Sequence, residues 1–260
     1  MKLLLVSRGI PSEDYPHLGI FEWDQAKALN GIGIDVIYTS LDFRSILKWR
    51  KWGTFKYVKD GIKVYSLSYP IGGIFKSLYY NLGKFILANI YKKILNDEGK
   101  VDLAHAHFTE IGAISSVLKY KFNVPLITTE HSSNINKSKL SKRTTYFANI
   151  AYNSSDCIIS VSNSLSKKIN KHFDKESIVV PNILDTSNIK YSPIKHDVFT
   201  FTSIGSLLEN KGFYNLIQAF VVFKNQNVKL RIIGDGPLKH FLEKEIKSLE
   251  LDNNVFLEGY

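Results

Sequence analysis

Several segments place residues suited to phosphate or proton chemistry where a strand gives way to a loop. In IGSLLENKG (204–212), Gly205 ends a β-branched run and Lys211 stands at the mouth of a helix-period segment. A lysine there opposes the helix dipole unless an anion lies between them, so the pattern suits a phosphate; it also suits a solvated surface lysine. In LRIIGDGP (230–237), Gly234 and Gly236 begin a GxGxxG pattern whose third glycine is replaced by Lys239. The segment therefore fails as a dinucleotide fingerprint and reads as a tight turn opening a helix, with Pro237 near its first position. HAH (105–107) and TEH (129–131) end two more strands. His105 and His107 face the same side and could act as a metal pair, but spacing supplies no third ligand. The alternative is a structural segment with one histidine facing a site. Glu130 and His131 sit at a strand-to-loop junction, and His131 reads as functional or as an ordinary strand-end residue. Gly19 opens a helix carrying Phe21, Trp23 and Gln25. It is either a simple turn glycine or a point where a ligand approaches backbone N–H groups.

The elements that must carry these residues alternate. KLLLV (2–6), DVIYTS (35–40), IKVYSLSY (62–69), DLAHAH (102–107), PLITTEH (125–131), CIISVS (157–162) and SIVVPN (177–182) read as strands, with IKVYSLSY at an edge. Helices are expected at Leu18–Asn30, ended by Gly31 and Gly33, and at Phe75–Leu95. Strands that alternate with helices, and are continuously apolar, imply a parallel sheet covered on both faces. The polar segment 185–197, with Pro193, reads as a linker. Beyond it FTFTSIG (199–205), a helix from Lys211 to Lys224, KLRIIG (229–234), a helix from Pro237 to Glu250 and VFLEG (255–259) start a second βαβαβ unit. The expected domains are therefore 1–190 and 191–260, both Rossmann-like, the second reading as the first half of its kind. In such sheets, ligands bind at the carboxyl ends of strands, where the residues above fall.

Composition adds limits. Hydrophobic residues make up 44% and charged residues 22% of the 260, which fits a globular protein. Leu3–Val6 is too short for a signal-peptide core, and no stretch reaches the length of a membrane span. The single cysteine, Cys157, reads as a core thiol, which together with the missing leader points to the cytoplasm. The formal charge of +10 suits an anionic partner or is scattered lysine-rich composition. Nucleic acid ranks last among such partners, since there is no RNP motif, zinc spacing or arginine-rich arm.

Gly19, DLAHAHF (102–108), ITTEH (127–131), ISVSNSL (159–165), VPNILD (180–185), IGSLLENKG (204–212), LRIIGDGP (230–237) and VFLEGY (255–260) occur in the order found in family 4 glycosyltransferases of the GT-B type, which the chain resembles over nearly its whole length. The resemblance implies an α/β fold of two Rossmann-like domains facing across a cleft. It implies that Lys211 holds the diphosphate of a nucleotide-sugar donor, that Gly19 lets that diphosphate approach the first helix, and that His131 lies beside the transferred sugar as the candidate catalytic residue. Gly234 and Gly236, with Gly259 and Tyr260 at the last strand end, would approach the nucleoside. Such enzymes usually retain the anomeric configuration and need no divalent metal or other cofactor, because basic side chains and helix ends neutralise the leaving diphosphate. Two departures stand out. Ser206 occupies the place of a common arginine, and a hydroxyl cannot neutralise a phosphate. The family's pair of glutamates that contacts donor sugar and ribose would fall after Tyr260, so the donor site is expected to be incomplete within this chain.

The first domain of such enzymes binds the acceptor. FRSILKWRKWG (43–53) is basic and aromatic; read as a helix, it puts Phe43, Ile46, Leu47 and Arg50 on one face. Trp49, Lys51 and Trp52, with the aromatics and lysines of Phe75–Leu95, suit an anionic membrane surface carrying a lipid-linked acceptor; packing beneath a loop is the simpler alternative for either tryptophan. The leading expectation is sugar transfer from a nucleotide donor to a glycan or lipid-linked acceptor in cell-surface polysaccharide assembly. A non-catalytic remnant or accessory subunit, and a sugar-nucleotide epimerase, are the other readings.

Overall fold

The computed structural model describes residues 1–184, 186 and 198–259. Asp185, residues 187–197 and Tyr260 lie outside the described residues, and with them most of the expected linker and the end of the last motif. The chain divides into two compact units, Met1–Asn188 and Ile189–Tyr260.

In the first unit β1 (Lys2–Ser7), α1 (Ile20–Gly31), β2 (Asp35–Asp42), β3 (Gly53–Lys59), β4 (Ile62–Ser68), α2 (Lys76–Glu98), β5 (Leu103–His107), α3 (Thr109–Phe122), β6 (Leu126–Glu130), α4 (Lys142–Ser154), β7 (Cys157–Ser160), α5 (Asn163–Phe173) and β8 (Ile178–Val179) follow in order. The strands form one sheet, ordered β3-β4-β2-β1-β5-β6-β7-β8. All neighbours are parallel except β3 and β4. Strand β1 shows why its residues are uniformly apolar. Leu4 and Val6 enter a core shared with α2, α3, α4 and α5, while Leu3 and Leu5 pack with Trp23 and Ala26 of α1 on the opposite face. Both faces are covered, so no position can be polar at low cost.

The strand order reverses between β1 and β5, which makes the carboxyl ends of these two strands the switch point where ligands lodge in open α/β sheets. Arg8 follows β1 and Phe108 follows β5, and the Arg8 guanidinium lies 3.8 Å from the Phe108 ring centroid.

Several expectations are corrected. Strand β4 is not the edge: β3 pairs with it antiparallel and takes that place. The turn is Asp60-Gly61, both at positive φ, and GTFKYVK before it alternates in the way a hairpin strand must. The segment 43–52 contains no helix. The Arg50 side chain, buried, donates to the carbonyls of Asp42, Arg44, Ser45, Lys48 and Tyr69 and to Ser68 Oγ, and pairs with Asp42 at 3.0 Å. One guanidinium satisfies carbonyls that a helix would otherwise bond along its axis, and this stabilises an irregular loop. The strand expected at 177–182 is reduced to Ile178–Val179. Cys157 is half-buried rather than a core thiol.

The second unit contains β9 (Phe199–Ile204), α6 (Phe213–Phe220), β10 (Val228–Ile233), α7 (Lys239–Ser248) and β11 (Val255–Gly259), a parallel sheet ordered β11-β10-β9. Its core joins Phe213, Ile217 and Phe220 of α6 and Leu242 and Ile246 of α7 to Leu230, Ile232 and Val255 of the sheet. Lys211 lies in a short 3-10 turn (Glu209–Lys211), and α6 starts two residues later than expected, after Gly212 in the left-handed region. Helix α7 likewise starts at Lys239, beyond Pro237.

Candidate active site

In the first unit the strand ends converge on a stack of imidazoles. His105 and His107 project from the same side of β5, and their rings lie 4.6 Å apart at 24°. His131, just past β6, stacks on His107 at 5.2 Å and meets it in a hydrogen bond of 2.9 Å between His107 Nδ1 and His131 Nε2. His105 Nε2 bonds Thr129 Oγ1 at 2.7 Å. The register of β5 against β6 produces this arrangement: His105 pairs with Ile127 and His107 with Thr129, so both histidines sit beside the strand that leads into His131. The rings lie face to face instead of converging their lone pairs on one point. Among the described residues no group of three or more His, Cys, Asp or Glu could hold a metal ion.

Burial keeps this stack neutral. It depresses His105 and His131 to about 4, with repulsion by His131 adding to the shift of His105 and the Arg8 charge adding to that of His131. His107 lies well below the usual imidazole range for the same reason, desolvation first and then its two neighbours. Glu130 goes the other way. Its carboxyl is fully buried and pushed up to about 7 by desolvation, opposed by the Ser132 N–H on Oε1 at 2.7 Å and the Tyr152 hydroxyl on Oε2 at 3.0 Å.

The first helix closes over His131. Gly19, at φ 72°, turns the chain into α1, and a Cβ there would stand 2.3 Å from the Gly9 carbonyl oxygen. Only glycine lets the two arms of the 8–19 loop meet so closely. The turn delivers Phe21 onto His131, with ring centroids at 6.1 Å, and Phe108 flanks His131 at 5.0 Å. A cavity of about 20 Å³ beside His131 is lined by Phe21, Thr129, Pro181 and Asn182, among others. The Asn182 amide favours the charged form of His131, though His131 Nδ1 has no geometric hydrogen-bond partner among the described residues.

Sequence reasoning passed over three residues here. Arg8 and Phe108 meet at the switch point beside a cavity of about 260 Å³ that also holds Glu110, Ser132 and Asn134. Phe108 has φ 66°, unusual for a bulky residue, and its N–H is tied to the Thr129 carbonyl. Glu22, in the first turn of α1, is buried with its oxygens free of hydrogen bonds and Arg8 Nε at 3.8 Å; desolvation raises its pKa. Arg8 was legible as a cation directly following a strand. The strain at Phe108 and the burial of Glu22 had no signal in residue types.

In the second unit the glycine turns interlock. A Cβ on Gly234 would lie 2.0 Å from the Gly205 carbonyl oxygen, and one on Gly236 would lie 2.7 Å from that of Leu207. Gly205 N–H donates to Ile233, Leu207 N–H to Asp235, and Gly234 N–H to Gly259. These glycines therefore serve contact between the loops after β9 and β10. Ser206 is half-buried between them, and Lys211 is exposed at the approach to α6. Trp49, Lys51 and Trp52 are exposed in the 43–52 loop of the first unit, away from the imidazole stack in sequence, with the two indoles 5.5 Å apart.

Comparison with known proteins agrees along the chain. Residues 23–188 match the family model described as Glycosyltransferase Family 4, and residues 185–260 match Glycosyl transferases group 1. An uncharacterised glycosyltransferase of Methanocaldococcus jannaschii is 37% identical over 123 residues, 42% of this chain and 30% of the relative. A second from the same organism is 29% identical over 182 residues, 70% of this chain and 48% of the relative. The chain thus spans less than half the length of either. Among solved structures, sucrose-phosphate synthase from Thermosynechococcus elongatus superposes with a TM-score of 0.73 at 16% identity, over 100% of this chain and 70% of that one. Anabaena HepE in complex with UDP and glucose gives 0.67 at 18%, over 100% and 69%. These likenesses establish the fold, a mixed α/β architecture of the GT-B type. Since the first family model spans well over half of the residues, the chain belongs to Glycosyltransferase Family 4.

Proposed function

We propose that the chain moves a sugar from a nucleoside-diphosphate donor to a glycan or lipid-linked acceptor in the assembly of a cell-surface polysaccharide. The observation that carries this reading is the junction of the α1 N-terminus with His131, joined by the Phe21 stack at 6.1 Å. A helix start beside a neutral imidazole offers an anion-stabilising dipole and a hydrogen-bonding group side by side, which a sugar leaving a phosphate requires. Lys211 at the mouth of α6 is the cation assigned to the diphosphate. Ser206 adds a hydrogen bond without charge, and Gly234, Gly236 and Gly259 shape the turns assigned to the nucleoside. HepE, of the same fold, is solved with UDP and glucose, which supports a nucleotide-sugar donor. The chemistry assigned to these residues needs no metal.

The test is release of nucleoside diphosphate from a panel of UDP-, GDP- and ADP-sugars, with and without added acceptor. Turnover that drops with Lys211→Ala and with His131→Ala supports the reading. Turnover indifferent to both refutes the assigned roles.

The acceptor side is proposed to lie at the inner face of a membrane. Leu47 is 88%, Trp49 74% and Phe75 85% exposed, and the loops carrying them meet where the Gly72 N–H donates to the Arg44 carbonyl. Exposed Lys48 and Lys51 accompany them, and aromatic residues with cations suit an anionic bilayer surface. Flotation with anionic liposomes should fall when Trp49, Lys51 and Trp52 are replaced together; unchanged flotation would end this part of the proposal.

A further inference from the structure

We propose that His107 is a positioning residue that fixes the proton of His131 on Nδ1, so that His131 serves as a hydrogen-bond donor to an oxygen of the bound sugar and not as a general base. The tautomer follows from the hydrogen-bond geometry together with the neutrality of the two buried rings; the role toward sugar rests on the glycosyl-transfer reading above.

His107 Nδ1 and His131 Nε2 lie 2.9 Å apart, so one of the two nitrogens carries the hydrogen between them. Both rings are held neutral near physiological pH by burial, so each carries one N–H. Two arrangements are therefore possible. In the first, His107 Nδ1–H donates to His131 Nε2, which leaves His107 Nε2 bare and places the His131 proton on Nδ1. In the second, His131 Nε2–H donates to His107 Nδ1, which leaves His131 Nδ1 bare and places the remaining proton on His107 Nε2.

The two outer nitrogens decide between them. His107 is 0% exposed, and its Nε2 has no hydrogen-bond partner among the described residues. The second arrangement would strand an N–H donor at that closed position, and a buried donor without an acceptor is the costlier defect. The first puts the N–H on His131 Nδ1. That atom is likewise buried without a partner, but His131 lines the small cavity together with Asn182, whose amide oxygen or a ligand oxygen can accept. The cavity, about 20 Å³, has room for about one oxygen-sized group, such as a sugar hydroxyl or a water in its place. His107 therefore works through His131 in the way that outer partners fix ligand imidazoles at metal sites. The Phe108 and Phe21 rings hold the plane of His131, and His107 sets which edge carries hydrogen.

The test is a long-range proton–nitrogen correlation spectrum of the full chain labelled with ¹⁵N-histidine at neutral pH. The account expects a pyrrole-type Nδ1 and a pyridine-type Nε2 for His131, and the same for His107. His107→Phe keeps a stacked ring but removes the donor, and His131 should then move its proton to Nε2, the form free imidazole side chains prefer. His107→Asn, whose amide nitrogen reaches the place of Nδ1, should restore the Nδ1–H form. A wild-type His131 protonated on Nε2, or one whose tautomer ignores His107→Phe, overturns the proposal. In the transfer assay His107→Phe should cost roughly 10- to 100-fold and His107→Asn should recover most of it. A changed tautomer with undiminished turnover overturns the assigned role of the Nδ1–H. Absence of turnover in a wild type that shows the expected proton pattern counts against the glycosyl-transfer reading and leaves the tautomer standing.

Discussion

The strand-end turns of the two units solve one problem with opposite materials. In the first unit the carboxyl edge of the sheet is filled with buried side chains that can ionise: His105, His107, Glu22 and Glu130 are all essentially inaccessible. In the second unit the corresponding edge is made of backbone. Gly205, Gly234 and Gly236 let two loops interlock, and Asn254 is the sole buried polar side chain among that unit's described residues. A stack of neutral imidazoles can tune hydrogen bonding and exclude water. Interlocked glycine turns can present main-chain groups and a nearby lysine to an anion while burying no charge.

The contrast breaks most sharply at Gly234. Gly234→Ala would drive a methyl into the Gly205 carbonyl at φ 149°, and should cost more than about 3 kcal/mol, read as the loss of the second unit's unfolding transition. Gly212→Ala, at φ 72° with nothing within 4 Å of its Cβ, should cost only about 1 kcal/mol. Equal costs would show that the interlock is not what requires glycine.

Arg50→Ala tests the side-chain-built unit in the same way. It orphans the Arg44, Ser45 and Lys48 carbonyls of the 43–52 loop and those of Asp42 and Tyr69 beside it, and should cost about 3 kcal/mol in denaturant unfolding. An effect under about 1 kcal/mol would make Arg50 an ordinary surface cation.

The third way to sharpen the comparison is pH. His105, His107 and His131 have folded pKa values below the free value, so they bind fewer protons folded than unfolded, and their contribution is lost as pH falls from about 6.5. Glu22 and Glu130 are raised, so they hold protons in the fold that they release on unfolding, and act with the opposite sign. The three imidazoles outnumber the two carboxyls, so on balance unfolding takes up protons as pH falls below about 6.5, and stability falls with it. The first unit should lose stability between pH 6.5 and 5 while the second changes little. A flat pH profile would remove the neutral stack from the account.

The smallest effect is at Trp49, whose exposure predicts a change within about 0.5 kcal/mol on Trp49→Ala while liposome binding weakens. A large loss of stability would return Trp49 to a packing role.

Particular residues show what was legible in sequence. The parallel sheet was readable because short apolar runs, clearest in KLLLVS of β1 and CIIS of β7, alternate with helix-period segments. The places of His131 and Gly19 were readable because one directly follows a strand and the other directly precedes a helix. The hairpin strand β3 was passed over although Asp60-Gly61 marks its turn. The 43–52 segment was misread as a helix because its periodicity is helical, while the carbonyls are satisfied by one arginine from within the loop, a tertiary fact absent from local pattern. The imidazole stack depends on strand register, which joins residues 24 apart, and no local spacing reveals it.

The most direct measurement is nucleoside diphosphate release from the sugar-nucleotide panel by the wild type, His131→Ala and Lys211→Ala, each first shown to be folded. Turnover on whichever donor is accepted should fall roughly 100-fold or more with each substitution. Wild-type turnover that neither substitution lowers would contradict the assigned roles.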